Sequence, residues 1–418
     1  VEEEGSVKFP FLLLLPILLS GCGRREEKAV QGLPGGDLLG RLPSDSLAAL
    51  SFPQAGPLPL PARIALEWMG FGTSETDLLS RSEGWAAALT PEGRIALLRR
   101  AQGSPGGLGR VPRDPSLSFF SRPHLPFPSG PLLGSRKPWR VLARSALPWK
   151  GNLLLWVSLA GLLDSGRVRF PGNGIPVIRG SFLLSSKVRE LLNTDAFEAA
   201  LFRLEGENRG RFGLFVWPDR VGLPGVLLSG KGGLCEALPE GKETFLAWRI
   251  QPDALDSILV GLESLQGVWG RMVKTGLALF RARVGLDPGK DILPALEGTF
   301  LFRARPGGGA LMLGLRKVPA ADRLCLALGA RRSALAGVLG LFSGRRFDVL
   351  YKKRKFLYLS WGKGPGHSLS LVHADPDSRR LGFFRLPLPS GGAGKEKILE
   401  GEFLRAPYGM EGRIRVRN

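Results

Sequence analysis

Apolar positions along this chain follow two periods, and the change of period falls at Pro- and Gly-rich punctuation. Leu42–Phe52 reads as a turn leading into a strand, and Glu83–Leu98 as strand, Pro91/Gly93 turn, strand, the pattern of a hairpin. Gln251-Pro252-Asp253 opens a helix, with proline in the first turn and an acid beside it. Leu255, Ile258, Leu259, Leu262, Leu265, Val268 and Trp269 then recur at helical spacing, and the run continues through Met272, Leu277 and Phe280 until Asp287-Pro288-Gly289. Lys187–Leu204 has helical spacing through Val188, Leu191, Leu192, Phe197, Leu201 and Leu204. Pro319-Ala320-Ala321-Asp322 opens a further helix bearing Leu324, Leu328, Leu335 and Leu339. Phe347–Tyr351 and Phe356–Trp361 read as strands around a Lys352–Lys355 turn, and Ser368–Val372 as another. Hairpin-linked strands make the sheet mostly antiparallel, packed with amphipathic helices, so the expected class is α+β.

Phrases recur in order. Leu42-Pro43-Ser44-Asp45-Ser46 leads into a strand as Leu238-Pro239-Glu240-Gly241-Lys242 does, and Glu83-Gly84-Trp85 opens a hairpin as Glu297-Gly298-Thr299 does. Two diverged tandem copies of one α+β module account for this; chance likeness of common hairpins is the alternative. The expected divisions are a signal peptide (1–21), a tether (22–41), the N-terminal part of the first module (42–102), a Pro/Gly-rich insertion or linker (103–150), the rest of the first module (151–235) and the second module (236–418). Repeated proline removes backbone donors, so 103–150 is expected to be loop.

Leu238-Pro239, Asp291-Ile292-Leu293-Pro294-Ala295-Leu296-Glu297-Gly298 and Val318–Asp322 together resemble an uncharacterised family of exported bacterial proteins with tandem α+β modules, a domain of unknown function. The specific motifs cover mainly residues 238–372, and the first copy departs through its Pro-rich insertion. The resemblance implies an architecture and carries over no catalytic or binding residue.

The N-terminal pattern bears on location. The apolar run Phe9–Leu19 is far shorter than the roughly 20 residues of a spanning helix. Leu19-Ser20-Gly21-Cys22 follows it and matches a bacterial lipobox, in which a cleaved signal leaves a lipidated cysteine. An ordinary cleaved signal with an incidental Cys22 is the alternative. Glu2–Glu4 occupy the place of a positive flank, and initiation at Val7 would restore one bearing Lys8. Diacylglycerol plus an N-acyl chain gives the two or more chains that stable anchoring needs. The expected place is the cell envelope, lipid-anchored and facing the periplasm. Gly23, where an acid would retain the protein at an inner membrane, favours the outer membrane where one exists.

Charge narrows the partner. Against 58 Lys and Arg stand 37 Asp and Glu, a net +21. For an exported protein the acidic surfaces within reach are anionic lipid, lipopolysaccharide or another envelope polymer, not nucleic acid. Arginine far outnumbers lysine beside abundant Gly, Ala, Leu and Pro, and that composition of a GC-rich genome is the simpler source of the excess. Arg345-Arg346 and Lys352-Lys353-Arg354-Lys355 bracket Phe347–Tyr351; clustered cations at a hairpin tip repel unless an anion screens them. They are the candidate anion-binding residues, with a solvated turn guarding a sheet edge as the alternative.

Candidate chemistry is thin. Gly225–Gly232 fits a phosphate-loop pattern until Gly232 stands where a hydroxyl should hold magnesium, and Val226–Leu228 reads as strand. Ser360-Trp361-Gly362-Lys363 and Lys274-Thr275-Gly276 stand in the wrong order for a penicillin-recognising enzyme. His367 and His373 alternate with leucines as a half-buried strand does, and His124 is the only other histidine. Cys235 and Cys325 either pair or are buried thiols. The expectation is therefore no catalytic residue, no metal and no cofactor: a non-enzymatic envelope lipoprotein that binds an unidentified protein partner or supports a complex. A periplasmic carrier of an apolar or anionic ligand is the alternative, and an enzyme comes third.

Overall fold

The computed structural model describes residues 36–52, 58–101, 108–111, 114–122, 126–127, 129–145, 153–165, 186–205, 209–218, 222–230, 236–238, 243–305, 308–316, 343–351, 354–362, 370–372, 379–388 and 397–417. Within them the chain is mixed α and β with extensive antiparallel sheet. It divides into two compact units: 1–179 with 198–215 and 413–416, and 180–197 with 216–412 and 417–418. Among the described residues, 186–197 and 216–230 group with the second unit.

The first unit contains α1 (Gly36–Gly40), β1 (Ala48–Phe52), α2 (Leu60–Trp68), α3 (Thr73–Ser80), β2 (Ser82–Leu89), β3 (Arg94–Ala101), β4 (Gly109–Val111), β5 (Asp114–Arg122), α4 (Lys137–Ser145), β6 (Leu153–Ser158), α5 (Leu159–Ser165), β7 (Phe197–Glu205) and β8 (Arg209–Val216). Its strands lie in the order β4-β5-β3-β2-β1-β6-β7-β8. Leu50, Trp85, Ala87, Ala96 and Leu98 share a buried cluster with Ala62, Leu66, Met69, Phe71 and Leu79 of the β1–β2 connection. Pro61 starts α2 where its missing N–H costs nothing, and Glu75 accepts from the Gly72 N–H at the start of α3. Each large side chain fully buried there contributes about 1.5–3 kcal/mol.

Within the expected tether, Leu38 and Leu39 of α1 are almost fully covered. The segment 103–150 is not simply loop. Asp114–Arg122 pairs along β3, with Phe120 opposite Ala96, and Trp139 of α4 meets Trp156 at 5.7 Å. The helix expected over Lys187–Leu204 ends at Leu192: Asn193 turns left-handed at φ 51°, and Phe197–Glu205 becomes β7, paired with β6.

The second unit contains α6 (Ser186–Leu192), α7 (Leu223–Leu228), β9 (Glu236–Leu238), β10 (Thr244–Arg249), α8 (Pro252–Ser264), α9 (Gly267–Val284), β11 (Leu296–Arg305), β12 (Gly308–Leu315), β13 (Ser343–Tyr351), β14 (Arg354–Gly362), β15 (Ser370–Val372), β16 (Arg380–Leu388), β17 (Lys397–Ala406) and most of β18 (Gly409–Arg417). Its main strands lie in the order β13-β14-β12-β11-β10-β16-β17, and β15 pairs with β9. That order repeats β4-β5-β3-β2-β1-β6-β7 strand for strand. The registers agree too. Phe52, the last residue of β1, pairs with Trp85 after Glu83-Gly84, and Arg249, the last of β10, pairs with Thr299 after Glu297-Gly298.

The single long helix expected from Pro252 is two helices. Gly267 turns left-handed at φ 77° after an extended Gln266, and a Cβ on Gly270 would lie 1.9 Å from the Leu265 carbonyl oxygen, so only glycine fits the tight turn. Val226–Leu228 is helical rather than a strand, with Pro224 in the first turn of α7. The helix expected at Pro319–Leu339 lies outside the described residues.

Candidate functional site

Cys22, the lipidation candidate, lies outside the described residues, as do Cys235, Cys325, His124, His367 and His373. Of the candidate anion-binding residues, Arg345 and Arg346 lie in β13, and Arg354 and Lys355 begin β14. Tyr351 pairs with Arg354; Lys352 and Lys353 lie outside the described residues. Arg345 and Arg346 pair with Tyr358 and Leu357. Along β14 their partners lie three and four residues from Arg354 and two and three from Lys355.

A charged cluster on the second unit's sheet carries no warning in the sequence. Arg303 of β11 is buried and donates through Nε and Nη2 to Glu243 Oε2 at 2.9 and 2.5 Å. Arg249 donates through Nη1 to Thr299 Oγ1 at 2.6 Å and through Nη2 to Glu297 Oε1 at 3.1 Å. Glu400 of β17 faces Arg385 at 3.6 Å and Arg417 at 2.9 Å. In a low-dielectric setting such pairs persist only when both partners stay charged and hydrogen-bonded. Period-two alternation marks positions 299, 301 and 303 as one face but does not say that arginine occupies the inner side. The pairing acids lie 60 and 48 residues away for Arg303–Glu243 and Arg249–Glu297, out of reach of any local motif.

The α8–α9 hairpin closes with a second polar knot. Arg281 reaches Glu263 at 2.5 Å and Asp287 at 2.7 Å. The Asp287 carboxylate accepts from the Gly289 and Lys290 N–H groups at 2.9 and 3.0 Å. Its pKa is held below the ordinary value, chiefly by the Lys290 N–H; desolvation opposes this, and the Arg281 charge and the Gly289 N–H assist it. The Arg281 pKa is raised in turn, first by its hydrogen bond to Glu263. This knot fastens the end of α9.

The hairpin it fastens is poorly covered. Val260 of α8 and Met272 and Leu279 of α9 are 61, 59 and 51 % exposed. In the first unit a depression of about 250 Å³ lies beside Thr90, Arg94 and Phe127, below the ordinary size of a small-molecule pocket. Among the described residues no three His, Cys, Asp or Glu side chains gather as metal ligands would, and no helix is long and apolar enough to cross a membrane. No family model matches the chain, and neither a curated protein nor a solved structure is significantly similar to it.

Proposed function

We propose that this chain is a lipid-anchored bacterial envelope protein that acts by binding rather than catalysis, built from two diverged copies of one α+β module. The observation that supports the duplication is the repeated strand order, with the residue after Glu-Gly in register with the end of the first strand in both units. A duplicated scaffold leaves one copy free to change its surface while the other keeps its core. The first unit commits its β1–β2 connection to an apolar cluster; the second spends the matching connection on an exposed helical hairpin. Cys22 holds the protein at the membrane facing the periplasm, the outer membrane where there is one. Lys352, Lys353, Arg354 and Lys355, with Arg345 and Arg346, contact an anionic lipid or envelope polymer. A protein partner completes the role as scaffold.

The test is Cys22→Ser. Release into the soluble fraction and loss of labelling by a fatty-acid probe are expected. Unchanged membrane association and labelling would overturn the anchor.

A further inference from the structure

Helix α9 is apolar on two sides. At 100° per residue, positions 268, 272, 275, 279 and 282 form one stripe, and 270, 273, 277 and 280 lie on the other side. Gly270 is buried and Val273, Leu277 and Phe280 are half-buried, which accounts for one side. On the opposite stripe Met272 and Leu279 stand 59 and 51 % exposed, with Thr275 exposed between them. An 18-residue helix that keeps two large apolar side chains on its outer face has a surface without a partner in the described chain.

Charge selects the occupant. The helix holds Arg271, Lys274, Arg281 and Arg283 and no acidic residue. Arg281 is engaged by Glu263 and Asp287; Arg271 is exposed on the flank of the stripe, and Lys274 is exposed farther round the helix, about 120° from the stripe's centre. A second copy of α9 laid along the first would set like charges together, which opposes pairing. An anionic bilayer surface takes both parts, the apolar stripe at the acyl boundary and the cations at the phosphates. Thirteen residues lie between Cys22 and Gly36, so a lipid at Cys22 would keep Gly36 within about 50 Å of the membrane. Tethering turns weak docking into an intramolecular event.

We propose that the outer stripe of α9 docks on anionic lipid, with Met272 and Leu279 inserted at the acyl boundary, Arg271 beside them at the headgroups and Lys274 reaching the headgroups from farther round the helix. The tethered form of this proposal rests on lipidation at Cys22; the lipid affinity of α9 does not.

The experiment uses the full chain carrying Cys22→Ser, Cys235→Ser and Cys325→Ser, with Met272→Cys bearing an environment-sensitive dye. Vesicles of phosphatidylcholine with about a third phosphatidylglycerol should shift the dye emission to the blue, and pure phosphatidylcholine should not. In the unlabelled full chain, Met272→Ser with Leu279→Ser should weaken vesicle binding about tenfold or more while leaving the circular dichroism unchanged. Arg271→Ser with Lys274→Ser should do the same, and added salt should mimic it. Equal binding by the Met272/Leu279 variant would overturn the proposal. So would a blue shift without vesicles that tracks dimerisation in light scattering, which assigns the stripe to a second copy. Protection of Met272→Cys from the dye in the lipid-free monomer would overturn it as well, by assigning the stripe to the chain itself. Fatty-acid labelling of the unaltered protein reads the Cys22 anchor separately, so failure of one does not imply failure of the other.

Discussion

The two units lay the same strands in the same order and fill matching positions with different chemistry. Phe52 and Trp85 meet at 6.2 Å inside an apolar cluster; Arg249 and Thr299, at the corresponding pair, join by a hydrogen bond of 2.6 Å with Glu297 beside them. Leu89 pairs with Ala48, while Arg303 pairs with Phe245 and reaches Glu243. The connections differ likewise. Leu66, Met69 and Leu79 of the first unit are almost fully covered, whereas in α9 of the second only Gly270 is buried among the described side chains. The same strand order is therefore compatible with different side chains on the inner face, so long as each unit satisfies its own buried groups.

The sharpest way to break this comparison is to remove one partner of a buried pair. Arg303→Met in the full chain should cost about 3–5 kcal/mol, because Glu243 is left charged and unpaired. Arg303→Met with Glu243→Leu, which imports the first unit's apolar solution, should return within roughly 1 kcal/mol of the parent or exceed it. Urea unfolding of the three proteins decides the matter. A double variant as weak as the single one would mean that the second unit needs the ion pair itself.

Cavity formation probes the other unit. Leu66→Ala should cost about 2–5 kcal/mol, since it opens the apolar cluster under α2. Leu279→Ala on exposed α9 should stay within about 0.5 kcal/mol. Comparable losses from the two would erase the distinction between a buried and an exposed connection.

The extent to which this contrast is legible in the sequence follows from the range of each interaction. Hairpins at Glu83–Leu98 and Glu297–Leu315 are readable because alternation and the Pro/Gly turn are local signals. The start of α8 is readable for the same reason, at Pro252-Asp253. The break at Gly267 is not, since apolar spacing runs through it and only the left-handed backbone reveals it. Phe197, Leu201 and Leu204 fit a helical period as well as a strand, and pairing with β6 decides for the strand. Proline content hid β5, because composition averages over a segment in which Leu117, Phe119 and Phe120 still pair with β3. Of the proposed contacts, the tip at 352–355 is visible as a charge run. The α9 stripe is not, because exposure of Met272 and Leu279 depends on what the fold leaves uncovered.

A smaller effect separates the ends of the two connections. Replacing Asp287 by Ala removes the acceptor of two backbone N–H groups and should cost about 0.5–2 kcal/mol. Because the folded-state pKa is lowered, this carboxylate's contribution is present above its ordinary value of about 3.9 and is lost as pH falls through the folded value. Asp287→Asn should therefore flatten the part of the acid-unfolding curve below about pH 4. An unchanged curve, followed by circular dichroism, would take the knot out of the account of α9.

A small change in stability should come from the edge hairpins, where the comparison supplies its own control. Val111 pairs with Asp114 in the first unit as Tyr351 pairs with Arg354 in the second, and each edge pair is joined by two residues. Pro112-Arg113-Asp114-Pro115 therefore corresponds to Lys352-Lys353-Arg354-Lys355. Writing Pro112-Arg113-Asp114 into the second unit, as Lys352→Pro, Lys353→Arg and Arg354→Asp, removes most of the local cation excess, and Lys355 is kept because it pairs with Leu315 inside the sheet. Turn charges contribute little to folding, so stability should move by less than about 1 kcal/mol. Affinity for anionic vesicles should fall, and raising salt on the parent should reproduce the fall, because attraction across water is screened within about 8 Å at physiological ionic strength. The Met272/Leu279 variant should instead lose binding that salt does not fully mimic, since its contribution is apolar. Equal affinity of graft and parent across salt concentrations would return 352–355 to the role of a solvated turn guarding a sheet edge.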